Sequence, residues 1–344
     1  MDGFLGRVRT ADWVALDTEA DSLHAYPEKL CLVQISDRAG DELIDPLVGF
    51  DLQALWAELG RHELILHGAD YDLRLLRKTQ GFVPQKIFDT MLAARLMGAR
   101  EFGLNHLVQQ FLGITLEKGS QKANWARRPL TPRMEEYARN DTRHLKPLSD
   151  RLRDELQQKG RLSWHEETCA RQVAECAEIP VVNGDEVWRI KGSTRLGRPA
   201  LAILRELWNW REQEAIRANT PPFFILPHET MSELADAVAR GQEADPLIPN
   251  RISPHRRKLL EEALARGLQL APGEHPHLLQ RKVHHPDAGE RRRFDEIQKR
   301  RDQRAAELGI DPTLIASRSV LSLLAQDRER HERELMNWQR ALLK

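Results

Sequence analysis

Val14-Ala15-Leu16-Asp17-Thr18-Glu19 is a short apolar run that ends in two acids one residue apart, bounded by Asp21-Ser22. In a strand, residues i and i+2 point to the same face, so the carboxylates of Asp17 and Glu19 stand side by side. Adjacent anions repel unless a cation joins them, and a hard divalent ion with oxygen ligands does this when further acids arrive from elsewhere. The plain alternative is a strand end whose acids face water. The rest of the chain decides between the two.

Working outward, Leu30-Cys31-Leu32-Val33-Gln34-Ile35-Ser36 and Glu42-Leu43-Ile44-Asp45 are separated by Asp37-Arg38-Ala39-Gly40-Asp41 and read as a hairpin. With the first run they predict an antiparallel meander. Leu52 to Leu59 has helical periodicity, Glu63 to His67 is a fourth apolar strand, and a helix opens straight after it. Strands that alternate with helices from this point predict an α/β domain with a mixed sheet.

The third acid comes in His67-Gly68-Ala69-Asp70-Tyr71-Asp72. Asp72 falls in the first turn of that helix, where the helix dipole favours negative charge, and Asp70 is the expected N-cap. Phe88-Asp89-Thr90 is read as the start of a further helix with Asp89 capping it, and Leu104 to Leu112 as another amphipathic helix. The fourth acid follows in Thr131-Pro132-Arg133-Met134-Glu135-Glu136-Tyr137-Ala138-Arg139-Asn140-Asp141. Here Thr131 is the N-cap, Pro132 takes the first helical position, and Tyr137 and Asp141 share a helical face.

Composition bounds the class. The chain has 344 residues, enough for two or three domains, and is 30% charged and 6% aromatic. Its mean hydropathy is -0.56. No apolar run approaches the roughly 20 residues that span a bilayer, and the N-terminal stretch lacks a signal-peptide core, so a cytoplasmic protein is expected. Cys31, Cys169 and Cys176 show no paired metal-ligand spacing, which argues against disulfides and zinc. The zero formal net charge hides a gradient: residues 1–150 carry 19 Lys+Arg against 22 Asp+Glu, and residues 251–344 carry 20 against 14. That suits a metal-binding catalytic domain followed by a polyanion-binding module, although basic helices can also be solvated faces.

Asp17-Thr18-Glu19, His67 with Asp72 five residues on, and Tyr137 with Asp141 resemble the three exonuclease motifs of the DEDD superfamily, tyrosine subtype. Leu116-Glu117-Lys118-Gly119-Ser120-Gln121 with Asn124-Trp125-Ala126-Arg127-Arg128-Pro129-Leu130-Thr131 resembles the ribonuclease D segment before the third motif. The resemblance covers residues 8–160. It implies a ribonuclease H-like exonuclease fold and metal-dependent hydrolysis of RNA from the 3′ end to 5′-mononucleotides, in the processing of tRNA precursors or other stable RNAs. It also implies two divalent ions, Mg2+ or Mn2+, with Asp17 bridging both, Glu19 and Asp141 completing one site, Asp72 supporting the second, and Tyr137 orienting water. His67, Lys118, Gln121, Trp125 and Arg128 are the candidate substrate contacts, with a core role open for Trp125. Ala20, Asp21 and His144 depart from the family pattern.

Residues from Gly197 onward, through Trp210-Arg211-Glu212-Gln213-Glu214-Ala215, Thr220-Pro221-Pro222 and Met231-Ser232-Glu233-Leu234-Ala235, resemble an HRDC domain. Gln303 to Pro312 with Leu314 to Arg318 resembles a second, degenerate copy. The expected domains are an exonuclease domain over residues 1–160, a helical linker over 161–194, an HRDC domain over 195–272 and a degenerate HRDC-like domain over 273–344. Two other functions stay open at this point: a 3′-5′ exonuclease on single-stranded DNA, and a non-catalytic nucleic-acid adaptor. A monomer is expected.

Overall fold

The computed structural model describes residues 2–49, 51–117, 119–179, 184, 186–279 and 284–344. Lys118 lies outside them, as does the loop read at Val181-Val182-Asn183-Gly184-Asp185 apart from Gly184. The chain forms two compact units, one of Met1–Ala20, Leu30–Glu178 and His284–Lys344, the other of Asp21–Lys29 and Ile179–Val283.

In the first unit five strands build one sheet: β1 (Val14–Ala20), β2 (Leu30–Asp37), β3 (Gly40–Ile44), β4 (Glu63–Leu66) and β5 (Lys86–Asp89), in the order β3-β2-β1-β4-β5. The pairs β1/β2 and β2/β3 are antiparallel, while β1/β4 and β4/β5 are parallel, so the sheet is mixed as the sequence implies. The last strand is a correction. Phe88-Asp89-Thr90 reads as the start of a helix, yet Phe88 and Asp89 end a strand that pairs with β4, and the helix starts only at Thr90. Four residues are too few to show a period, and pairing with a neighbour decides them.

Among the described residues eight helices accompany the sheet: α1 (Asp2–Arg9), α2 (Gln53–Leu59), α3 (Asp70–Gln80), α4 (Thr90–Met97), α5 (Leu104–Leu112), α6 (Pro132–Arg143), α7 (Leu145–Gln158) and α8 (Leu162–Ala177). Alternation in β1 sends Val14 and Leu16 into a core with Leu73 and Leu76 of α3, and sends Ala15 against Leu145 of α7. Covering both faces of the sheet makes this an α/β layer structure.

The second unit holds α9 (Arg198–Arg217), α10 (Pro222–Ile225), α11 (His228–Ala239) and α12 (Pro254–Gln269) around Trp188, Leu204, Leu207, Trp210, Leu234 and Leu260. Residues 284–344 form α13 (Ala288–Leu308), α14 (Pro312–Ile315), α15 (Arg318–Gln326), α16 (Arg328–His331) and α17 (Asn337–Leu343). They share a core with the sheet-bearing region: Ile297, Ile310, Leu321 and Trp338 cluster with Phe88, Leu96, Leu107 and Leu152. The compact units thus cut the chain differently from the four consecutive segments expected, because α8 and residues 284–344 pack into the first unit.

The two helical regions repeat each other. Helix starts at 198, 222 and 228 recur at 288, 312 and 318, each 90 residues later. At the same offset Arg211, Ala215, Ile225, Leu234 and Ala235 match Arg301, Ala305, Ile315, Leu324 and Ala325, all buried. Even the left-handed residue between the first two helices is kept, Asn219 at φ 44° and Gly309 at φ 65°.

Candidate active site

The first two acids are placed by strand alternation and by where β1 ends. Val14 and Ala15 pair in parallel with Leu64 and Ile65, but β4 stops at Leu66 whereas β1 runs on to Ala20, so Asp17 and Glu19 project beyond the parallel pair. The register shifts between Glu19 and Ala20 on the β2 side. The turn after β4 then lifts α3 toward the same end. Asp72 sits buried in its first turn and accepts a 2.5 Å hydrogen bond from the Thr18 hydroxyl, on the side of β1 that faces α3.

A buried carboxylate fixes that turn. Asp89 is 0% exposed and accepts from the backbone N–H groups of Gly68 at 3.0 Å, Ala69 at 2.8 Å, Met91 at 2.8 Å and Leu92 at 3.1 Å. It caps α4 as expected and also holds the entry to α3. Asp70 is not the N-cap of α3: it is the first helical residue and pairs with Arg74 at 3.1 Å, because Asp89 already meets the preceding N–H groups.

The fourth acid arrives on α6, which begins as read, with the Thr131 side chain accepting from Met134 N–H at 3.3 Å and Pro132 in the first turn. Ser36 Oγ bonds Thr142 Oγ1 at 2.7 Å and Arg143 Nε donates to Asp41 at 2.6 Å, pinning the helix to the β2–β3 hairpin. That orientation brings Asp141 to the β1 acids: ligand oxygens of Asp17, Glu19 and Asp141 all lie within 4.8 Å of one another. Tyr137, one turn earlier on the same helix, stands near enough to Asp141 to pull its carboxyl down.

Electrostatics confirm how unfavourable this crowd is for bare carboxylates. Burial, then repulsion from Asp72, Asp141 and Glu19, holds the Asp17 carboxyl well above the ordinary range. Burial, then Asp141 and Asp72, pushes Glu19 up to about 9. Burial raises Asp72 and Asp141 to about 7 each, against hydrogen bonds from Thr18 and Tyr137 that pull the other way. Burial and the three neighbouring carboxylates push the Tyr137 phenol up as well. Among the described residues none of the four acids has an ion pair with Lys or Arg. An all-oxygen anionic donor set without a protein counter-charge fits a hard divalent cation.

A family model for a 3′-5′ exonuclease domain matches residues 2–157, and one for an HRDC domain matches residues 200–244. Ribonuclease D of Zymomonas mobilis is 33% identical over 331 residues, which cover 94% of this chain and 79% of the relative. The chain belongs to the ribonuclease D family. The ribonuclease D of Xanthomonas oryzae is 31% identical over 345 residues, covering 96% and 90%. The crystal structure of Escherichia coli RNase D, titled an exoribonuclease involved in structured RNA processing, superposes with a TM-score of 0.74 at 26% identity, covering 97% of this chain and 88% of that one. A structure from Bifidobacterium adolescentis superposes with a TM-score of 0.82 at 25% identity. As a ribonuclease D, the chain is a 3′-5′ exoribonuclease.

Of the substrate contacts expected for a ribonuclease D, the structure brings some to the surface and turns others inward. Gln121 is exposed, whereas His67 is half-buried with Nδ1 2.9 Å from the Thr90 hydroxyl, its pKa lowered by burial against the pull of Asp89. Trp125 is 1% exposed and packs beside Tyr137, with ring centroids 6.1 Å apart. It is a wall of the site, the core role left open by the sequence, and offers no face for a base. Arg128 is spent internally: it pairs with Asp45 and donates to the carbonyls of Trp125 at 2.6 Å and Cys31 at 2.8 Å. Its guanidinium ties the segment to the sheet. Sequence reading missed Thr18, whose role depends on a helix 54 residues away, and the second half of Asp89's work. A buried-strand Asp directly before a helix was the available signal for the latter.

Proposed function

We propose that this ribonuclease D trims single-stranded 3′ ends of RNA, tRNA precursors among them, releasing 5′-mononucleotides with two divalent ions, Mg2+ or Mn2+, held by Asp17, Glu19, Asp72 and Asp141. The observation that carries the reading is the convergence of three carboxylate oxygens within 4.8 Å, with Tyr137 one helical turn before Asp141. When bound, such ions supply charge neutralisation at the phosphodiester and a more acidic water. Tyr137 stays a phenol because burial and the carboxylates oppose its ionisation. It therefore orients the attacking water by hydrogen bonding and does not take its proton. Thr18 holds Asp72 in place, and Asp141 is held by Tyr137. Gln121, Lys118 and His67 are the remaining substrate contacts in this reading.

The domain reading is proposed alongside: an exonuclease domain over 1–160, a helical linker over 161–194, and two HRDC-type domains over 195–272 and 273–344. The 90-residue repeat supports the second copy. The enzyme is a cytoplasmic monomer in this account; its buried cysteines, which form no disulfide among the described residues, suit a reducing compartment.

The test supplies matched RNA and DNA single strands, labelled at the 5′ end, with Mg2+ or Mn2+. Shortening of the RNA from its 3′ end with 5′-mononucleotide release is expected. Faster cleavage of the DNA strand would assign the site to DNA instead, and no cleavage with either ion would remove the catalytic reading.

A further inference from the structure

The loop between α5 and α6 returns to the site at Gly119, which the catalytic account leaves without a task. A Cβ built there would lie 2.0 Å from Tyr137 Cδ2, 2.8 Å from Cγ and 2.9 Å from Cε2. Those distances are far inside van der Waals contact, and they fall on a ring that Trp125 already packs beside. A glycine at 119 is therefore required by its surroundings. What needs it is the ring.

We propose that Gly119 is a positioning residue for Tyr137. Its missing side chain lets the loop backbone lie directly against the phenol ring, so that loop, ring and Trp125 together fix where the hydroxyl stands relative to Asp141 and the metal-binding oxygens. The proposal rests on the reading of the Tyr137 hydroxyl as the group that orients water. Any side chain at 119 forces either the ring to swing or the loop to lift, and both move the hydroxyl. A shift of about 1 Å in an orienting group can reduce turnover by roughly 10²-fold while leaving binding nearly intact.

The experiment is a double-mutant cycle in the full-length protein, with kcat, KM and thermal melting measured for wild type, Gly119→Ala, Tyr137→Phe and the pair. Tyr137→Phe keeps the ring, and hence the clash, but removes the hydroxyl. The expected result is that each single variant loses roughly 10- to 100-fold in kcat with KM within about twofold, and that the pair is no slower than Tyr137→Phe alone. Multiplicative losses in the pair would overturn the proposal, placing Gly119 in a role independent of the hydroxyl, and so would wild-type turnover in Gly119→Ala. Full activity of Tyr137→Phe would instead refute the role given to the tyrosine, and the proposal with it. Should Gly119→Ala melt early, the same substitution in a Tyr137→Ala background decides the point. The melting defect disappears there if the clash is with the ring, and its persistence would overturn the proposal.

Discussion

Asp72, Asp141 and Glu19 show why the apo site is a poor place for charge and a good one for a cation. Their folded-state pKa values, about 7, about 7 and about 9, all lie above the ordinary carboxylate range. An unfolded chain releases those protons near pH 4, so across the window from about 4 to about 9 the folded state binds more protons. Stability of the metal-free protein therefore falls as pH rises through that window. A divalent ion replaces the protons, so its stabilising effect grows over the same range. Thermal melting in chelator and in excess Mg2+, from about pH 5.5 to about 8.5, should show the chelator curve falling and the Mg2+ increment widening. An increment independent of pH would contradict this assignment of the carboxyls. At this scale strand and helix periods made the pairs Asp17/Glu19 and Tyr137/Asp141 legible as shared faces, while their joining with Asp72 into one site rested on the resemblance to the exonuclease motifs. The states of Trp125 and Arg128 were not, since sequence does not show whether a ring is covered or a guanidinium already satisfied.

Elements with a clear period were legible too: β1 to β4, α6 with its Thr131-Pro132 start, and α9 after Gly197. What escaped was β5, which exists through its pairing with β4, and the division of labour between Asp70 and Asp89. Two elements hang on Asp89, because it meets N–H groups before α3 and in the first turn of α4. Replacing it with alanine leaves those donors buried and unpaired. Asp89→Ala should lower stability by about 1–3 kcal/mol, by loss of a cap and of buried hydrogen bonds. Turnover should fall as well, since Asp72 rides on the α3 entry. Denaturant unfolding with activity measured under native conditions checks both, and unchanged turnover at reduced stability would show that α3 keeps its place without Asp89.

For the whole molecule, the charge gradient suggested a polyanion-binding module after the catalytic domain. The structure assigns much of that charge to internal work. Arg293 Nε donates to Ala325 O at 2.7 Å, Arg301 Nη1 to Ala316 O at 2.9 Å, and Arg300 Nη1 to Leu343 O at 3.1 Å. Arg292 and Lys299 stay exposed and are the better candidates for phosphate contact. Residues 284–344 also complete the exonuclease core, so a fragment ending at residue 178 would uncover Phe88, Leu96, Leu107 and Leu152. No composition statistic could reveal this, because the packing joins helices far apart in sequence. Trp338 is 5% exposed and stacks on Trp164 of α8, with centroids 5.1 Å apart. Trp338→Ala should cost about 3–5 kcal/mol. Unfolding of that variant measures it, and a loss below about 1 kcal/mol would mean that the C-terminal helices merely lean on the exonuclease domain.

The central claim is that Asp17, Glu19, Asp72, Asp141 and Tyr137 form one metal-dependent hydrolytic site, and Asp17→Asn tests it most directly. The substitution keeps the shape of the side chain and removes the charge at the middle of the cluster. Single-turnover digestion of a 5′-labelled RNA strand at saturating Mn2+ should show turnover reduced by roughly 10³-fold or more, with thermal stability in chelator equal to or above that of the wild type, because the repulsion is relieved. Near wild-type turnover at saturating Mn2+ would contradict the claim.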